Sequence, residues 1–439
     1  MQVDGRGTDA PGNQQSPVFI DVFAGCGGLS LGLMRAGWRG LFAVEKDAMA
    51  FATIDKNLMG NNSRFHFEWP EWLDRKATTI EDLIACNGDN LRALRGKVDL
   101  LAGGPPCQGF SSAGRRMRQD PRNAMLKRYL ELVELIHPRI LVIENVPGIT
   151  YDFQADQPGE PRRNFANELK AMLEPRYNVQ TSFLAAPDFG LPQVRRRFFL
   201  VGLAKDASFP REAEVFTMLA SSREAFLSAR GLTAKTSAAD AISDLQVALF
   251  GTRPSPDSNG FEAIVAGPPT SPYQRLMKDG HVGPVPDTRL ARHSAEIKHR
   301  FELITHACSE ADRRHVQLSA SMRKDFGLKK KATRVMDPSR PSPTITSMPD
   351  DLIHYSEPRT LSVRENARLQ GFPDWFGFAG KYTTGGDRRK MEVPRFTQVA
   401  NAVPPLLAEA IGEVLLAIAT KQKQRRAAPV LIKQAEPTF

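Results

Sequence analysis

Cysteine is scarce in this chain: Cys26, Cys86, Cys107 and Cys308 are the four among 439 residues, and no two form a CxxC pair. That scatter excludes a disulfide framework and the ligand spacing of a structural zinc site, and it is expected of a reduced, intracellular compartment. The first sixteen residues, MQVDGRGTDAPGNQQS, lack the apolar run of a secretory signal. No stretch is expected to reach the about 18 apolar residues of a membrane span, and no internal repeat is visible. Acidic residues are in the minority, 49 against 59 basic ones, for a net charge of +10. Such a balance suits a polyanionic partner, and equally an ordinary basic soluble protein.

Hydrophobic residues make up 41% of the chain, enough to build a core, and 439 residues fit about two domains. Strand-like and helix-like segments alternate through the first half. VFIDVFAG (18–25), LFAVE (41–45), VDLLAGG (98–104) and RILVIEN (139–145) read as strands, followed by VQTSFL (179–184) and RFFLVGL (197–203). Helical spacing runs through LSLGLMRAG (29–37), from Lys46 towards Leu58, and through AMLKRYLELVELI (124–136). Alternation of this kind predicts a parallel, doubly wound sheet. Beyond Ala204 the pattern gives way to Pro-, Gly-, Ser- and Asp-rich sequence with basic clusters such as RKDFGLKKKATR (323–334). An apolar helix returns at 406–418, and a basic tail starting at Lys421 is expected to fray.

The first strand runs into glycines at Gly25, Gly27 and Gly28 before a helix opens, which lets backbone turn tightly and approach a ligand; the same turn also occurs with no ligand at all. Glu45 ends the next strand, where an acid suits ribose hydroxyls. Asp89 precedes the third strand and is placed either to accept a bond from an adenine amine or merely to make a turn. Where that strand ends, GGPPCQGFS (103–111) holds Cys107 between Pro106 and Gln108 in a loop, a poor setting for a small buried hydrophobe. Glu144 ends the fourth strand, as a carboxyl of raised pKa or a cap for the next helix. In QVRRR (193–197) alternate residues share a face, so Arg195 and Arg197 point one way, towards an anionic or carbonyl-bearing partner or into solvent.

In this order the segments resemble the DNA (cytosine-5) methyltransferase family, bacterial type. DVFAGCGGLS is similar to its donor loop, GGPPCQGFS to its nucleophile loop, and ENV and QVRRR to its glutamate and arginine motifs. RTLSVRENARLQGFP (359–373) and QVANAVPP (398–405) resemble the last two motifs, with Ala400 where a glycine is usual. The resemblance implies an α/β fold: a Rossmann-like S-adenosylmethionine-dependent catalytic domain (17–204 plus 395–425) and a smaller, irregular target-recognition domain (205–394), flanked by a disordered 1–16 and a frayed 426–439. It implies methyl transfer from S-adenosyl-L-methionine, leaving S-adenosyl-L-homocysteine, to carbon 5 of a flipped cytosine in a short sequence of double-stranded DNA. Cys107 is then the nucleophile, Glu144 the proton donor, and Arg195 holds the base with Arg197 beside it, while Asn145 orders the loop. Phe23, Gly25, Cys26, Gly27, Gly28, Glu45, Asp89, Pro106 and Asn401 are the implied donor-binding residues, with Phe23 on the adenine and Pro106 under the methyl. Gln108, Ser111, Arg115 and Arg116, with Arg118 nearby, are the implied DNA contacts on a loop that closes. No metal is expected, because the sulfonium is already activated.

A monomer in the bacterial or phage-infected cytoplasm, close to the nucleoid and without a membrane partner, is expected. A cognate restriction endonuclease would act on the same site without stable binding. One rival is a transfer-RNA cytosine methyltransferase, disfavoured by Gln108 and by the long interval between QVRRR and RTLSV. A catalytically silent DNA-binding relative would have lost Cys107 or Glu144, and a Rossmann-type oxidoreductase has no use for PPCQGFS. The insertion 66–85, with Trp69 and Trp72, is expected only to pack on the outer sheet.

Overall fold

The computed structural model describes residues 16–60, 63–105, 123–152, 164–210, 213–384 and 391–427. Its first half builds β1 (Val18–Val22), α1 (Gly28–Arg35), β2 (Arg39–Val44), α2 (Ala48–Leu58), α3 (Ile80–Ala93), β3 (Leu100–Gly103), α4 (Asn123–Ile136) and β4 (Ile140–Asn145). Then come α5 (Phe165–Leu173), β5 (Tyr177–Ala185), the two-residue β6 (Gln193–Val194), β7 (Arg196–Ala204) and α6 (Val215–Ala229). Six strands form one sheet in the order β2-β1-β3-β4-β7-β5. The first four are parallel, whereas β7 runs antiparallel to both β4 and β5. The expected all-parallel sheet is corrected there: no helix crosses over between β5 and β7, and only a crossover makes strands parallel.

The central strands β1, β3, β4 and β7 are buried on both faces, which is why they read as nearly continuous apolar runs, whereas the edge strand β5 is half exposed. Period-two alternation sorts their side chains. Phe19, Leu100, Ala102, Ile140, Val142, Phe199 and Val201 join α1, α2 and the C-terminal helix (Pro405–Ala427) in one cluster. Ile20, Val22, Leu101, Leu141, Ile143, Phe198 and Leu200 join α3, α4 and α5 in the other. The C-terminal helix lies tightly on α1. A Cβ on Gly32 would stand 2.5 Å from the Pro405 carbonyl oxygen, so only glycine allows this approach. Trp38 Nε1 donates to Gly412 O (2.9 Å) across the same contact.

Four expectations change. The stretch Arg395–Thr420 is long and apolar enough to cross a membrane by length and composition, but most of it is buried as a core helix. The C-terminal helix runs unbroken past Lys421 to Ala427, and 428–439 lie outside the described residues, as do 1–15. Asn87–Asp89 fall inside α3, at a kink where Asn87 leaves helical backbone, and not directly before β3. Finally, the core does not break at 204/205: Leu219 and Phe226 of α6, Ile242, Tyr273, Ile345, Val363 and Phe372 pack into the same cluster as the sheet. A small separate cluster of Phe301, Ile304, Cys308, Leu318, Val335 and Ile353 forms a lobe of its own. The 66–85 insertion packs on the outer strand as expected, with Trp69 and Trp72 edge-on to Phe42 at 6.3 and 5.8 Å between ring centroids.

Candidate active site

A cavity of about 1300 Å³ opens at the carboxyl ends of the parallel strands, where an open α/β sheet offers its crevice. At one end the chain leaving β1 turns through left-handed backbone at Phe23 (φ 59°) and Gly25 (φ 58°). Glu45 clamps that turn: Gly25 N donates to Oε2 (2.9 Å) and Asp47 N to Oε1 (2.8 Å). Burial raises the Glu45 carboxyl above the usual range, and the two amide bonds pull it back. Phe23, Gly25, Cys26 and Glu45 line this end together with Asn401. Cys26 is buried, its Sγ donating to Gln398 O (3.6 Å), and burial pushes its thiol to about 12.

Three donor-loop expectations need revision. Gly27 and Gly28 are not among the residues that line the cavity, although Cys26 and Leu29 on either side of them are. A Cβ on Gly27 would stand 3.0 Å from Leu58, and one on Gly28 would strike the Val403 carbonyl, so close packing requires these glycines. Asp89 sits on α3 with its side chain 99% exposed, paired with Arg92, and does not reach the cavity. The wall assigned to it is built instead by the first turn of α3, Thr79 to Asp82, where Thr79 caps the helix by accepting from Asp82 N (3.0 Å). The residues TTIED carry an N-cap signal that the sequence reading missed. Asp21 was also missed, although an acid inside the run VFIDV is conspicuous. It is buried at the cavity floor, accepts from Ser30 Oγ (2.5 Å), and is raised to about 7 by desolvation.

At the other end β4 delivers Glu144, which is almost wholly buried. Arg197 Nε lies 3.1 Å from Oε1, an ion pair without hydrogen-bond geometry, so that oxygen has no donor among the described residues. Burial raises the Glu144 carboxyl, opposed by Arg197 and Arg195. Arg195 is 2% exposed; its Nη2 donates to Ala402 O (3.1 Å), while Nε and Nη1 are buried with no partner among the described residues. Arg195 and Arg197 both face the cavity as alternation requires, and the exposed Arg196 turns outward over Phe183. Asn145 Nδ2 donates to Pro105 O (3.0 Å), tethering the chain two residues before Cys107. Pro106, Cys107, Gln108, Ser111, Arg115, Arg116 and Arg118 lie outside the described residues.

The arginine strand is held from both sides. Gln193 Nε2 donates to Gln370 Oε1 (2.6 Å), and β6 pairs in parallel with Ser342–Pro343. The chain that leaves this pairing brings Ser347 to Asp350 to the wall of the same cavity. One cavity therefore joins Phe23, Gly25, Cys26, Glu45 and Asn401 to Glu144, Arg195 and Arg197.

The family model for C-5 cytosine-specific DNA methylases matches residues 18–417. Among named proteins, the chain is 31% identical to the type II methyltransferase M.DdeI of Desulfomicrobium norvegicum, over 90% of this chain and 87% of the relative. It is 29% identical to the type II methyltransferase M.XorII of Xanthomonas oryzae pv. oryzae, over 93% and 87%. Among solved structures, a prophage-encoded E. coli protein assigned as a DNA modification methyltransferase superposes with a TM-score of 0.60 at 25% identity. That match covers 92% of this chain and 100% of the other.

Proposed function

The chain belongs to the C-5 cytosine-specific DNA methylase family, and from that premise we propose how its own residues carry the reaction. It is a DNA (cytosine-5-)-methyltransferase, and the family's methyl donor is S-adenosyl-L-methionine. The cavity suits this donor on its own terms. It has apolar surface at Phe23 and Ile80 for a purine, the Glu45 carboxylate for ribose hydroxyls, and the buried Asp21, whose Oδ1 has no hydrogen-bond partner among the described residues. When bound, the donor supplies a methyl group already activated on a sulfonium. Phe23, Gly25, Cys26, Glu45, Pro106 and Asn401 are the residues we assign to holding it.

Carbon 5 of cytosine becomes nucleophilic only after addition at carbon 6. We assign that addition to the Cys107 thiolate, a good nucleophile and a reversible leaving group. Glu144 gives a proton or a strong hydrogen bond to ring nitrogen 3, drawing electrons from carbon 6; its burial and raised pKa support this role. Arg195 holds the ring carbonyl through Nε and Nη1. The observation that carries the reading is this pairing: a buried guanidinium with two unbonded donor nitrogens beside a buried carboxyl in one cavity. Leaving such donors unmet costs about 1–3 kcal/mol each, which a bound base recovers. Loss of the carbon 5 proton and departure of Cys107 restore the ring. The base must leave the helix stack to be reached, at a cost of roughly a few kcal/mol.

The named relatives are type II methyltransferases, and for this chain we propose modification of one short duplex sequence, with a cognate endonuclease cutting the same site. The same proposal has it working in the cytoplasm, as a monomer near the nucleoid. No such support attaches to transfer RNA. Sequence reading belongs, in this proposal, to residues within 205–394, above all the lobe around Phe301 and Ile353. The test is to incubate the protein with S-adenosyl-L-methionine and unmethylated genomic DNA and to map 5-methylcytosine by bisulfite sequencing. Methylation confined to one short motif is expected, absent with Cys107→Ser and slowed about 10²–10⁴-fold with Glu144→Gln. No methylation by the wild type on any sequence refutes the proposal and makes transfer RNA the next substrate to try.

A further inference from the structure

The basic run 323–334 carries six basic residues and one acid, and nothing in the chemistry above uses it. Strand register decides where it lies. Arg334–Val335 pairs in parallel with Leu352–Ile353, so the residues preceding one strand stand beside those preceding the other. Leu318 N donates to Thr333 O (3.2 Å), which sends the short helix Ala320–Asp325 to the same end. That end is the cavity rim, where Ser347 to Asp350 form the wall. Lys330 closes the arrangement: its Nζ lies 2.8 Å from Asp350 Oδ2 and 3.6 Å from Asp351 Oδ1. Its neighbours behave differently. Lys324, Lys329 and Lys331 are exposed, and none has an ion-pair partner among the described residues, Asp325, Asp350 and Asp351 included.

We propose that Lys324, Lys329 and Lys331 form a ridge that binds the phosphodiester backbone of the duplex whose target base enters the cavity, and that Lys330 is a positioning residue fixing this ridge to the cavity rim. The proposal rests on the reading of the cavity as the site of DNA methylation and names a surface through which the duplex is held. Long flexible ammonium groups left without protein partners suit point contacts with phosphates, which carry no sequence information but set register. Lys330 is spent on Asp350 and is not free to make such a contact.

The experiment is salt-dependent binding of a labelled random-sequence duplex by the full chain, wild type against K324A/K329A/K331A and against K330A. S-adenosyl-L-homocysteine binding by thermal shift confirms that each variant is folded. Each phosphate neutralised contributes about −0.9 to the slope of log K against log salt, so the triple variant should lose about 2–3 units of slope. K330A should leave that slope nearly unchanged while lowering kcat on the wild type's own methylation motif. A wild type that binds the duplex with a slope the triple variant shares overturns the ridge and spares the functional reading. A K330A variant whose kcat on that motif equals the wild type's overturns the assignment of Lys330 as a positioning residue. A wild type that binds no duplex overturns both readings.

Discussion

Asp21 shows what burial does to a single residue beside the cavity. Its carboxyl, raised to about 7 by desolvation, stays largely protonated in the fold at pH values where an unfolded chain would ionise it. Between about pH 4 and pH 7 the folded state therefore holds the extra proton, and stability falls as pH rises through that window, by at most about 1.4 kcal/mol per pH unit. Asp21→Asn cannot ionise and keeps a partner for Ser30. The thermal midpoint of the variant minus that of the wild type, measured without donor, should grow from pH 4.5 to pH 7.5; a difference constant with pH would show that Asp21 titrates normally. Glu144 and Arg195 follow the same logic with opposite charges. Burial raises Glu144, and Arg197 and Arg195 pull it back, whereas burial and Arg197 lower Arg195 and Glu144 pulls it back.

At the scale of elements, the joint that matters is α1 against the C-terminal helix. α1 carries the donor loop at its start, and the C-terminal helix follows Ala402, whose carbonyl receives both Arg195 Nη2 and Gln370 Nε2 (2.6 Å). The two ends of the cavity are thus referenced to one helix pair. Gly32→Ala would place a Cβ against Ala408 and the Pro405 carbonyl, backbone that cannot step aside. Denaturant unfolding should show a loss of about 1–3 kcal/mol, the usual cost of overpacking. Weaker donor binding should accompany it, since the helices must separate. An unchanged midpoint would mean that the helices part freely.

Across the whole molecule, packing divides the chain differently from the boundaries expected of it. One cluster runs from the sheet through α6 to Phe372 and Phe378, whereas the lobe around Phe301 and Ile353 has six buried apolar residues to itself. Fewer buried contacts mean easier local opening. Hydrogen exchange should therefore be faster in the helix Ala295–Glu310 than in α1; equal protection would show that lobe and core open as one unit.

Much of this was legible in the sequence. Six sheet strands, α1, α2, α4 and the returning C-terminal helix follow from apolar periodicity, because local spacing alone decides which face an element can bury. That Glu45, Glu144, Arg195 and Arg197 line one cavity agrees with their places beside strand ends, where an open sheet binds ligands, while the roles proposed for them come from the family resemblance. Long-range contact settled the rest. No local signal tells that Gly27 and Gly28 exclude side chains of α2 and the C-terminal segment, that Asp89 turns outward on a helix, or that β7 reverses. Nor does one reveal that 205–394 shares its core with the sheet. The sequence by itself determined the chemistry and the order of the strands along the chain. Which of the acids and glycines face the cavity was decided by tertiary packing, since burial belongs to the neighbours a residue meets and not to the residue.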